Sequence, residues 1–224
     1  MEFLLLLIAP MLLAGWASWR VKSTFKKFSQ VGVASGMTGA QAAAAVCRAG
    51  GAHDVTIERI GGFLSDHYDP RTKTLRLSPD VYDGRSVSAI AVGAHEAGHA
   101  LQHATNYTWL EMRSLMVPAV QFGNATWIYP VMAGMLLSNV GFMWVGIALL
   151  AVTVLFQLVT LPVEFDASNR AKHVLATGGI TRGPDEEAGV AKVLDAAAMT
   201  YVAGAVASIA TLLYYVMIAT QNRD

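Results

Sequence analysis

Charged residues are absent from three long stretches of this chain, and this absence constrains the fold more than any other feature of the sequence. The stretches cover residues 3–19, 114–163 and 196–222. A helix needs about 20 apolar residues to cross the hydrocarbon core of a bilayer. The middle stretch is therefore long enough for two such helices, joined near residues 138–141, and each outer stretch is long enough for one. The sequence predicts a protein with about four transmembrane helices.

The overall composition agrees with a membrane protein. Of the 224 residues, 54% are hydrophobic and 14% are charged, whereas soluble domains carry about 25% charged residues. These values exclude disordered and collagen-like chains. Because 16 basic residues balance 16 acidic residues, the charge indicates no nucleic-acid partner. The single cysteine, Cys47, cannot form an internal disulfide.

The positions of the basic residues predict the orientation in the membrane. Lys and Arg concentrate on the cytoplasmic side of membrane proteins, and fifteen of the sixteen lie within residues 20–113 and 164–197. A basic cluster follows the first apolar stretch rather than preceding it, which favours a retained anchor over a cleaved signal peptide. We therefore predict a multi-pass cytoplasmic-membrane protein with both termini outside. The cluster consists of Arg20, Lys22, Lys26 and Lys27.

These predictions divide the chain into five parts. Residues 1–20 are a transmembrane anchor, and residues 21–112 are a cytoplasmic domain with helices and a small sheet. Residues 113–163 are two transmembrane helices. Residues 164–197 are a cytoplasmic helical segment, and residues 198–224 are a C-terminal transmembrane helix. The two polar segments are thus expected on the same side of the bilayer.

Local patterns predict the secondary structure of the first polar segment. A capping box at Thr38 begins an alanine-rich helix. Residues 55–60 alternate between apolar and polar side chains, as a strand does, and residues 63–68 and 74–77 flank a turn, as in a hairpin. Residues 86–106 are predicted to form a long helix. The predicted order is helix, small antiparallel sheet, long helix.

The segment His95-Glu96-Ala97-Gly98-His99 carries the strongest chemical signal. Residues i and i+4 of a helix lie on one face, so both imidazoles can bind one zinc ion at about 2.0–2.1 Å. Glu96 lies on the adjoining face, where a carboxylate can accept a proton from a water that zinc has acidified. The residues before the motif are small and apolar, so the helix is expected to be buried, and buried ionisable groups need partners. We interpret the motif as a zinc site with Glu96 as general base.

A catalytic zinc site needs a third protein ligand. His103 is excluded, because it lies about 12 Å from His95 along the helix. It is interpreted as a residue that supports a ligand or faces the oxyanion, and it suits a plain interfacial position equally well. The even number of predicted spans places Glu164 on the side of the membrane that holds the motif. From the residues alone, four candidates remain open: Glu164, Asp166, Glu111 and His173.

Several segments together resemble the YugP-like membrane zinc metallopeptidases. The resemblance covers nearly the whole chain and implies a zinc endopeptidase of the bacterial cytoplasmic membrane that binds one zinc ion. The implied fold is a mainly α membrane protein with a small zincin-like α+β metallopeptidase domain. The segments that carry the resemblance are Asp66-His67-Tyr68-Asp69-Pro70, Leu75-Arg76-Leu77-Ser78, residues 94–102, residues 162–168 and residues 196–203.

A more distant similarity to the HtpX-type gluzincins implies the identity of the third ligand. Their pattern Glu-Phe-x-Ala-Asp aligns its ligand glutamate with Glu164. This sequence has Ser168 where that pattern has an aspartate. An aspartate there would support a ligand histidine, and the candidates to substitute for it are Asp166 and Asp195.

Other residues near the motif are candidates for substrate binding. The strand at residues 74–77 is nearest to the motif in sequence, and we predict that it is an edge strand that pairs with extended substrate. His67 or Tyr68 is predicted to stabilise the oxyanion, with Tyr82 and Tyr107 as weaker alternatives. The segment that contains His67 and Tyr68 equally suits a plain turn.

Three functions fit these observations: a zinc endopeptidase at the membrane surface, a site-2-type intramembrane protease, and a metal-dependent membrane scaffold without activity. The apolar residues 87–94 before the motif are too few to span a bilayer, which favours the first function over the second. Glu96 favours an enzyme, because a structural metal site does not use an unliganded carboxylate beside the ion. The predicted substrates are membrane or membrane-proximal proteins cut at the cytoplasmic face, and the predicted partners are the lipid bilayer and a peptide or protein substrate.

Overall fold

The computed structural model describes residues 2–221, apart from the side chains of residues 2–5 and 7. These residues are mostly helical, with one small sheet. The strands are β1 (Thr56–Arg59), β2 (His67–Asp69) and β3 (Thr74–Leu77). The helices are α1 (Glu2–Phe28), α2 (Gly39–Ala49), α3 (Pro79–Tyr82), α4 (Val87–Ala104), α5 (Thr108–Thr126), α6 (Ile128–Leu136), α7 (Val140–Thr177) and α8 (Pro184–Gln221).

The chain divides into two compact units. The polar unit consists of Trp19–Leu110 and Val163–Met199. The apolar unit consists of the residues up to Ser18, Glu111–Pro162 and the residues from Thr200 onward. The metal-binding motif belongs to the polar unit.

The sheet of the polar unit has the strand order β1-β3-β2. The predicted hairpin is confirmed, because β2 and β3 pair antiparallel with Tyr68 opposite Leu75. The prediction of an all-antiparallel sheet is wrong, because β1 pairs parallel to β3. The loop between β1 and β2 allows this pairing by carrying the chain back across the sheet, with positive φ angles of 107° at Gly62 and 53° at Leu64.

The position of β3 also corrects the prediction for substrate pairing. β3 has a neighbour on each side, so both of its edges are already hydrogen-bonded. Its Leu75 and Leu77 are fully buried, as expected for the middle of a small sheet. Residues 74–77 are therefore not an edge strand and cannot pair with a substrate. The two edge strands of this sheet are β1 and β2.

Helix α4 is buried along most of its length and packs against α2 and the sheet. The predicted capping box at the start of α2 is confirmed, with Thr38 and Gln41 each bonding the backbone of the other. Helices α2 and α4 approach closely at two glycines, because a Cβ on Gly93 would lie 2.5 Å from the carbonyl oxygen of Gly39. The close contact of α2 fixes α4 in the core of the polar unit.

Cys47 of α2 is 4% exposed, and burial raises the pKa of its thiol to about 11. Since the thiolate is the reactive form, this higher pKa and the burial of the side chain both slow the reaction of Cys47. We expect the folded protein in detergent to react slowly with an aromatic disulfide reagent at pH 8, and the unfolded protein to react fully in urea. A Cys47→Ser variant should give no signal in either state. Rapid reaction of the folded protein would contradict this placement of Cys47.

In the described part of the chain, two helices rather than four are long and apolar enough to cross a membrane, α7 and α8. Residues 114–163 do form a helical hairpin, with the predicted tight connection at Ser138, where φ is +49°. However, its first arm is divided into α5 and α6, of which α6 has 9 residues. Pro130 explains the division, because its ring lacks an N–H and clashes with the carbonyl four residues earlier, at the end of α5. The predicted anchor at residues 3–19 lies partly outside the described side chains.

Small and polar residues join the helices of the apolar unit. A Cβ on Gly146 would lie 2.5 Å from the carbonyl oxygen of Trp127, so α7 passes close to the break between α5 and α6. The hydroxyl of Thr153 donates a hydrogen bond of 2.7 Å to Oδ1 of Asn124. This bond provides a partner for the Asn124 side chain within an otherwise apolar helix pair.

Candidate metal centre

Three buried side chains of the polar unit bring their donor atoms together. His95 and His99 lie one turn apart on α4, Glu164 lies on α7, and their candidate ligand atoms all lie within 4.8 Å of one another. Oε2 of Glu164 is 3.2 Å from Nε2 of His95 and 3.5 Å from Nε2 of His99. The side chains are well protected from solvent, with residue exposures of 8%, 8% and 2%.

This spacing fits a metal ion. Donor atoms that bind one zinc ion at about 2.0–2.2 Å lie roughly 3–4 Å apart, and the two distances from Glu164 to the histidines fall in this range. Two neutral imidazoles and a carboxylate are also a donor set that zinc prefers at catalytic sites. His95, His99 and Glu164 could therefore hold a zinc ion without large rearrangement.

A glycine allows α4 and α7 to approach closely enough for this grouping. A Cβ on Gly98 would lie 2.5 Å from the carbonyl oxygen of Ala167, nearer than real Cβ atoms come to backbone. Ala167 itself is fully buried. Gly98 lies between the two histidines in sequence, and Ala167 lies one turn beyond Glu164. The close contact therefore occurs beside the donor atoms.

Hydrogen bonds at Nδ1, the ring nitrogen that faces away from Glu164, hold the two histidine rings in place. Nδ1 of His95 is 3.1 Å from the hydroxyl of Ser168, so Ser168 itself, and not the predicted Asp166 or Asp195, makes the contact with this histidine. Nδ1 of His99 is 3.0 Å from Oε1 of Gln102. These contacts leave both Nε2 atoms facing Glu164. Bonds of this kind fix the orientation of a ligand histidine and increase its basicity.

Gln102 determines which nitrogen of His99 carries the proton. Its amide nitrogen donates to the carbonyl of Val163 at 2.7 Å and to Oδ2 of Asp166 at 2.9 Å. Its oxygen must then accept a bond, so His99 donates from Nδ1 and Nε2 is the nitrogen left to bind a metal ion. Asp166 is held in turn by Nε of Arg170 at 2.6 Å. Sequence reasoning assigned no role to Gln102, although its position three residues after His99 places it within reach of that ring.

The charges around His99 create a favourable place for a cation. Burial lowers the pKa of the His99 imidazole, but the hydrogen bond with Glu164 and the negative charges of Glu164 and Glu96 raise it. The second influence prevails, so the pKa lies above its ordinary value. A buried ring that is stabilised in its charged form indicates an excess of negative charge at this point, which a bound metal ion would neutralise.

Glu96 is half-buried and follows His95 on the adjoining face of α4. It is not part of the group of converging donor atoms, as the motif predicts. Of the other candidates for the third ligand, Asp166 faces Gln102 and Arg170 instead. Glu111 and His173 do not join the group that the described residues form either. Asp195 lies 3.9 Å from Lys172 in a partly exposed ion pair.

The two residues predicted to stabilise the oxyanion, Tyr68 and His67, lie in different environments. The phenol oxygen of Tyr68 lies 2.9 Å from Nδ1 of His103, which joins β2 to the end of α4. Burial raises the pKa of Tyr68 to about 12, so the phenol is protonated at neutral pH. His67 is exposed, with Nδ1 2.9 Å from the carbonyl of Ser65. The interpretation of this segment as a plain turn is wrong, because residues 67–69 form β2.

The remaining tyrosines have structural contacts. The Tyr107 ring lies beside the Arg170 guanidinium, whose central carbon is 5.5 Å from the ring centroid. Tyr82 packs against the hydrophobic core of the polar unit. Asp66 accepts hydrogen bonds from both the backbone and the hydroxyl of Ser78, at 2.7 and 3.0 Å, which fastens the strand before the hairpin turn to the strand after it.

A buried His-His-Glu group on two helices, with a further glutamate inside the histidine motif, is typical of the zinc metallopeptidases, and comparison with known proteins agrees. Residues 3–220 match the family described as "Putative neutral zinc metallopeptidase", and the chain belongs to this family. It is 47% identical to the "Putative membrane protease YugP" of Bacillus subtilis (strain 168), over 100% of this chain and 99% of that protein. No solved structure matches the chain significantly. Zinc and a membrane location are thus properties that the family and this relative support.

Proposed function

We propose that the protein is a zinc-dependent endopeptidase in which His95, His99 and Glu164 hold one ion and Glu96 is the general base. The observation that supports this most directly is the convergence of three buried donor atoms, with Glu164 3.2 Å from the nearer histidine. Two imidazoles and a carboxylate that converge from positions up to 69 residues apart in the sequence are a donor set that zinc takes at catalytic sites.

The chain supplies the proton transfers of peptide hydrolysis. Zinc at this site would act as a Lewis acid that polarises the peptide carbonyl and lowers the pKa of a water. Glu96 then accepts a proton from the water whose oxygen attacks the carbonyl carbon, and passes it to the amine nitrogen when the C–N bond breaks. Ser168 and Gln102 keep the two histidines in place throughout.

The outer edge of β2 is the surface that best suits an extended substrate. β2 pairs with β3 on one side only, and it packs against α4. We propose that substrate backbone pairs with this edge, in place of the edge first assigned to residues 74–77. Tyr68 of the same strand, held by His103, is the donor that we propose for the oxyanion.

We propose further that substrates are membrane or membrane-proximal proteins cut at the cytoplasmic face. This is supported by the basic residues of the polar segments and by the two long apolar helices. His99 and Glu164 share one site, so the chain between them must cross the bilayer an even number of times. In this proposal α7 is one crossing, and α5 with α6 is the other, as a single broken segment. Residues 3–19 anchor the chain before the basic cluster.

A zinc-binding measurement tests the proposed ligands. The Glu164→Gln variant keeps the shape of the side chain but removes its charge, so we expect zinc affinity to fall by more than the roughly 10- to 100-fold typical of residues that only orient ligands. Zinc content per chain, measured by mass spectrometry after dialysis against a weak chelator, should fall from about one towards zero.

His173→Asn is the matched control, because His173 was an alternative ligand and does not join the group. This variant should retain zinc. In a separate test of the wild type, a strong chelator should stop the cleavage of an unfolded protein substrate, and added zinc should restore it. Equal zinc content in Glu164→Gln and wild type would remove Glu164 from the site. Activity that persists without metal would contradict the proposed function.

A further inference from the structure

A cavity of about 870 Å³ in the polar unit shares no lining residue with the candidate metal centre. One wall is a face of α1, since Lys22, Phe25 and Lys26 have the i, i+3, i+4 spacing that places side chains on one side of a helix. Asp80 of α3 contributes to the lining of the same cavity, and so does Phe63. Its volume lies in the range of cavities that bind small molecules.

The cavity contains both cationic and anionic groups that lack an ion pair. Lys22 and Lys26 are exposed, and neither forms an ion pair with another of the described side chains. The same holds for Asp80 within the described part of the chain. Asp83 also lines the cavity, but Nε of Arg59 neutralises it at 2.8 Å. Arg85 lines the cavity as well, and its guanidinium donates a hydrogen bond to the carbonyl oxygen of Gly36. The cavity thus has two ammonium groups, this guanidinium and one carboxylate available to a ligand.

A zwitterionic ligand satisfies both kinds of group. A phosphate is the anion that two neighbouring lysines attract, and an ammonium group donates hydrogen bonds to a carboxylate. A purely anionic ligand would leave the Asp80 carboxylate without a hydrogen-bond donor. A trimethylammonium group carries a positive charge but no N–H to donate. The charges therefore favour a ligand with a phosphate and a primary ammonium group.

The apolar part of the cavity indicates that this ligand belongs to a lipid. The Phe25 and Phe63 rings meet edge to face, with centroids 5.7 Å apart, and Phe63 is 55% exposed. Lys22 follows the uncharged residues 3–19 on the same helix, about 4.5 Å beyond Trp19 at 1.5 Å per residue. Basic residues at this distance from an apolar segment lie at the level of lipid headgroups.

We propose that this cavity binds the phosphoethanolamine headgroup of a membrane lipid. Lys22 and Lys26 bind the phosphate, Asp80 accepts hydrogen bonds from the ammonium group, and Phe63 contacts the apolar part of the lipid. This inference rests on the proposed placement of residues 3–19 in the bilayer. It does not depend on zinc or on peptidase activity.

Native mass spectrometry of the full-length protein in detergent tests the proposal, because it counts bound lipids directly. The protein is titrated with phosphatidylethanolamine, phosphatidylcholine and phosphatidylglycerol of the same acyl chains. Since a hydrogen bond between charged groups changes affinity by about tenfold, we expect phosphatidylethanolamine to bind about tenfold more tightly than either other lipid. Equal binding of the three lipids would overturn the proposal.

Variants identify the groups that bind the lipid. Asp80→Asn should remove the preference for phosphatidylethanolamine over phosphatidylcholine, and the double variant Lys22→Gln, Lys26→Gln should weaken binding of all three lipids. Lys27→Gln is the matched control, because the Lys27 ammonium lies over the Phe28 ring, 5.7 Å from its centroid, and Lys27 does not line the cavity. An unchanged preference in Asp80→Asn would exclude the carboxylate contact.

A soluble competitor separates a lipid from a free metabolite. Glycerophosphoethanolamine has the same headgroup without acyl chains, so we expect it to bind more weakly than the lipid by at least about tenfold. Equal affinity of the two would show that the site takes a soluble ligand, and the lipid proposal would be wrong. All readouts are masses of bound ligand, so failure here leaves the proposed peptidase function untouched, and loss of peptidase activity leaves this test intact.

Discussion

The Glu96→Gln variant is expected to lose peptidase activity by about 100- to 10,000-fold, the range that a general base contributes, and to keep its zinc. The reason is that Glu96 lies next to His95 on α4 but outside the group of converging donor atoms. Glutamine has nearly the same shape and cannot accept the proton of the attacking water. The measurement is kcat/KM on a quenched fluorescent peptide, together with zinc content per chain.

The control for this substitution is Glu187→Gln, which makes the same chemical change at an exposed position of α8. It should leave both activity and zinc unchanged. If Glu96→Gln cleaved the peptide as fast as wild type, Glu96 would not be the base. If the variant lost zinc together with activity, Glu96 would instead support the metal site.

The Gly98→Ala variant is expected to lose zinc and to unfold more readily, although it adds one methyl group only. On an isolated helix this change would be favourable by about 1 kcal/mol. Here the new Cβ would lie 2.5 Å from the carbonyl oxygen of Ala167, and backbone atoms cannot turn away as a flexible side chain can. Helix α4 must move relative to α7, and overpacking of this kind costs about 1–3 kcal/mol. The same movement separates the histidines from Glu164.

A second glycine provides the comparison. Gly15 also lies in a helix, and a Cβ there would meet nothing within 4 Å. Gly15→Ala should therefore keep its zinc and unfold at the wild-type temperature or slightly above it. Both variants are measured by Tm in detergent and by zinc content. A Gly98→Ala protein with normal Tm and zinc would mean that α4 and α7 do not need this close approach.

The histidine pair could be predicted from sequence because its geometry is local. A spacing of four residues on a helix determines that His95 and His99 share a face, whatever the rest of the fold does. The prediction of Glu164 as the third ligand depended on less local information. It used the family resemblance and the number of apolar segments between the two polar segments. Gln102 was missed because its role depends on α7, whose Val163 and Asp166 are the acceptors that orient its amide.

The sheet and the apolar helices show where sequence patterns were insufficient. Alternation of side chains identified the strands, and the turn residues identified the hairpin of β2 and β3. Neither pattern indicates which strand pairs with β1. In the structure, β1 pairs parallel to β3. In residues 114–163, the absence of charge indicated helices but not their continuity. The break before Pro130 depends on a local clash that hydropathy does not register.

The short length of β2 affects which substrates the proposed peptidase would select. With three residues, its free edge offers a visiting chain only a few main-chain bonds, and pairing of this kind supplies much of the affinity in strand addition. Peptides diffusing in bulk would be captured rarely and released quickly. Substrate chains anchored in the same membrane would meet this edge repeatedly, at a high effective concentration. Location in the same membrane, more than a preferred cleavage sequence, would then determine which polypeptides are cut.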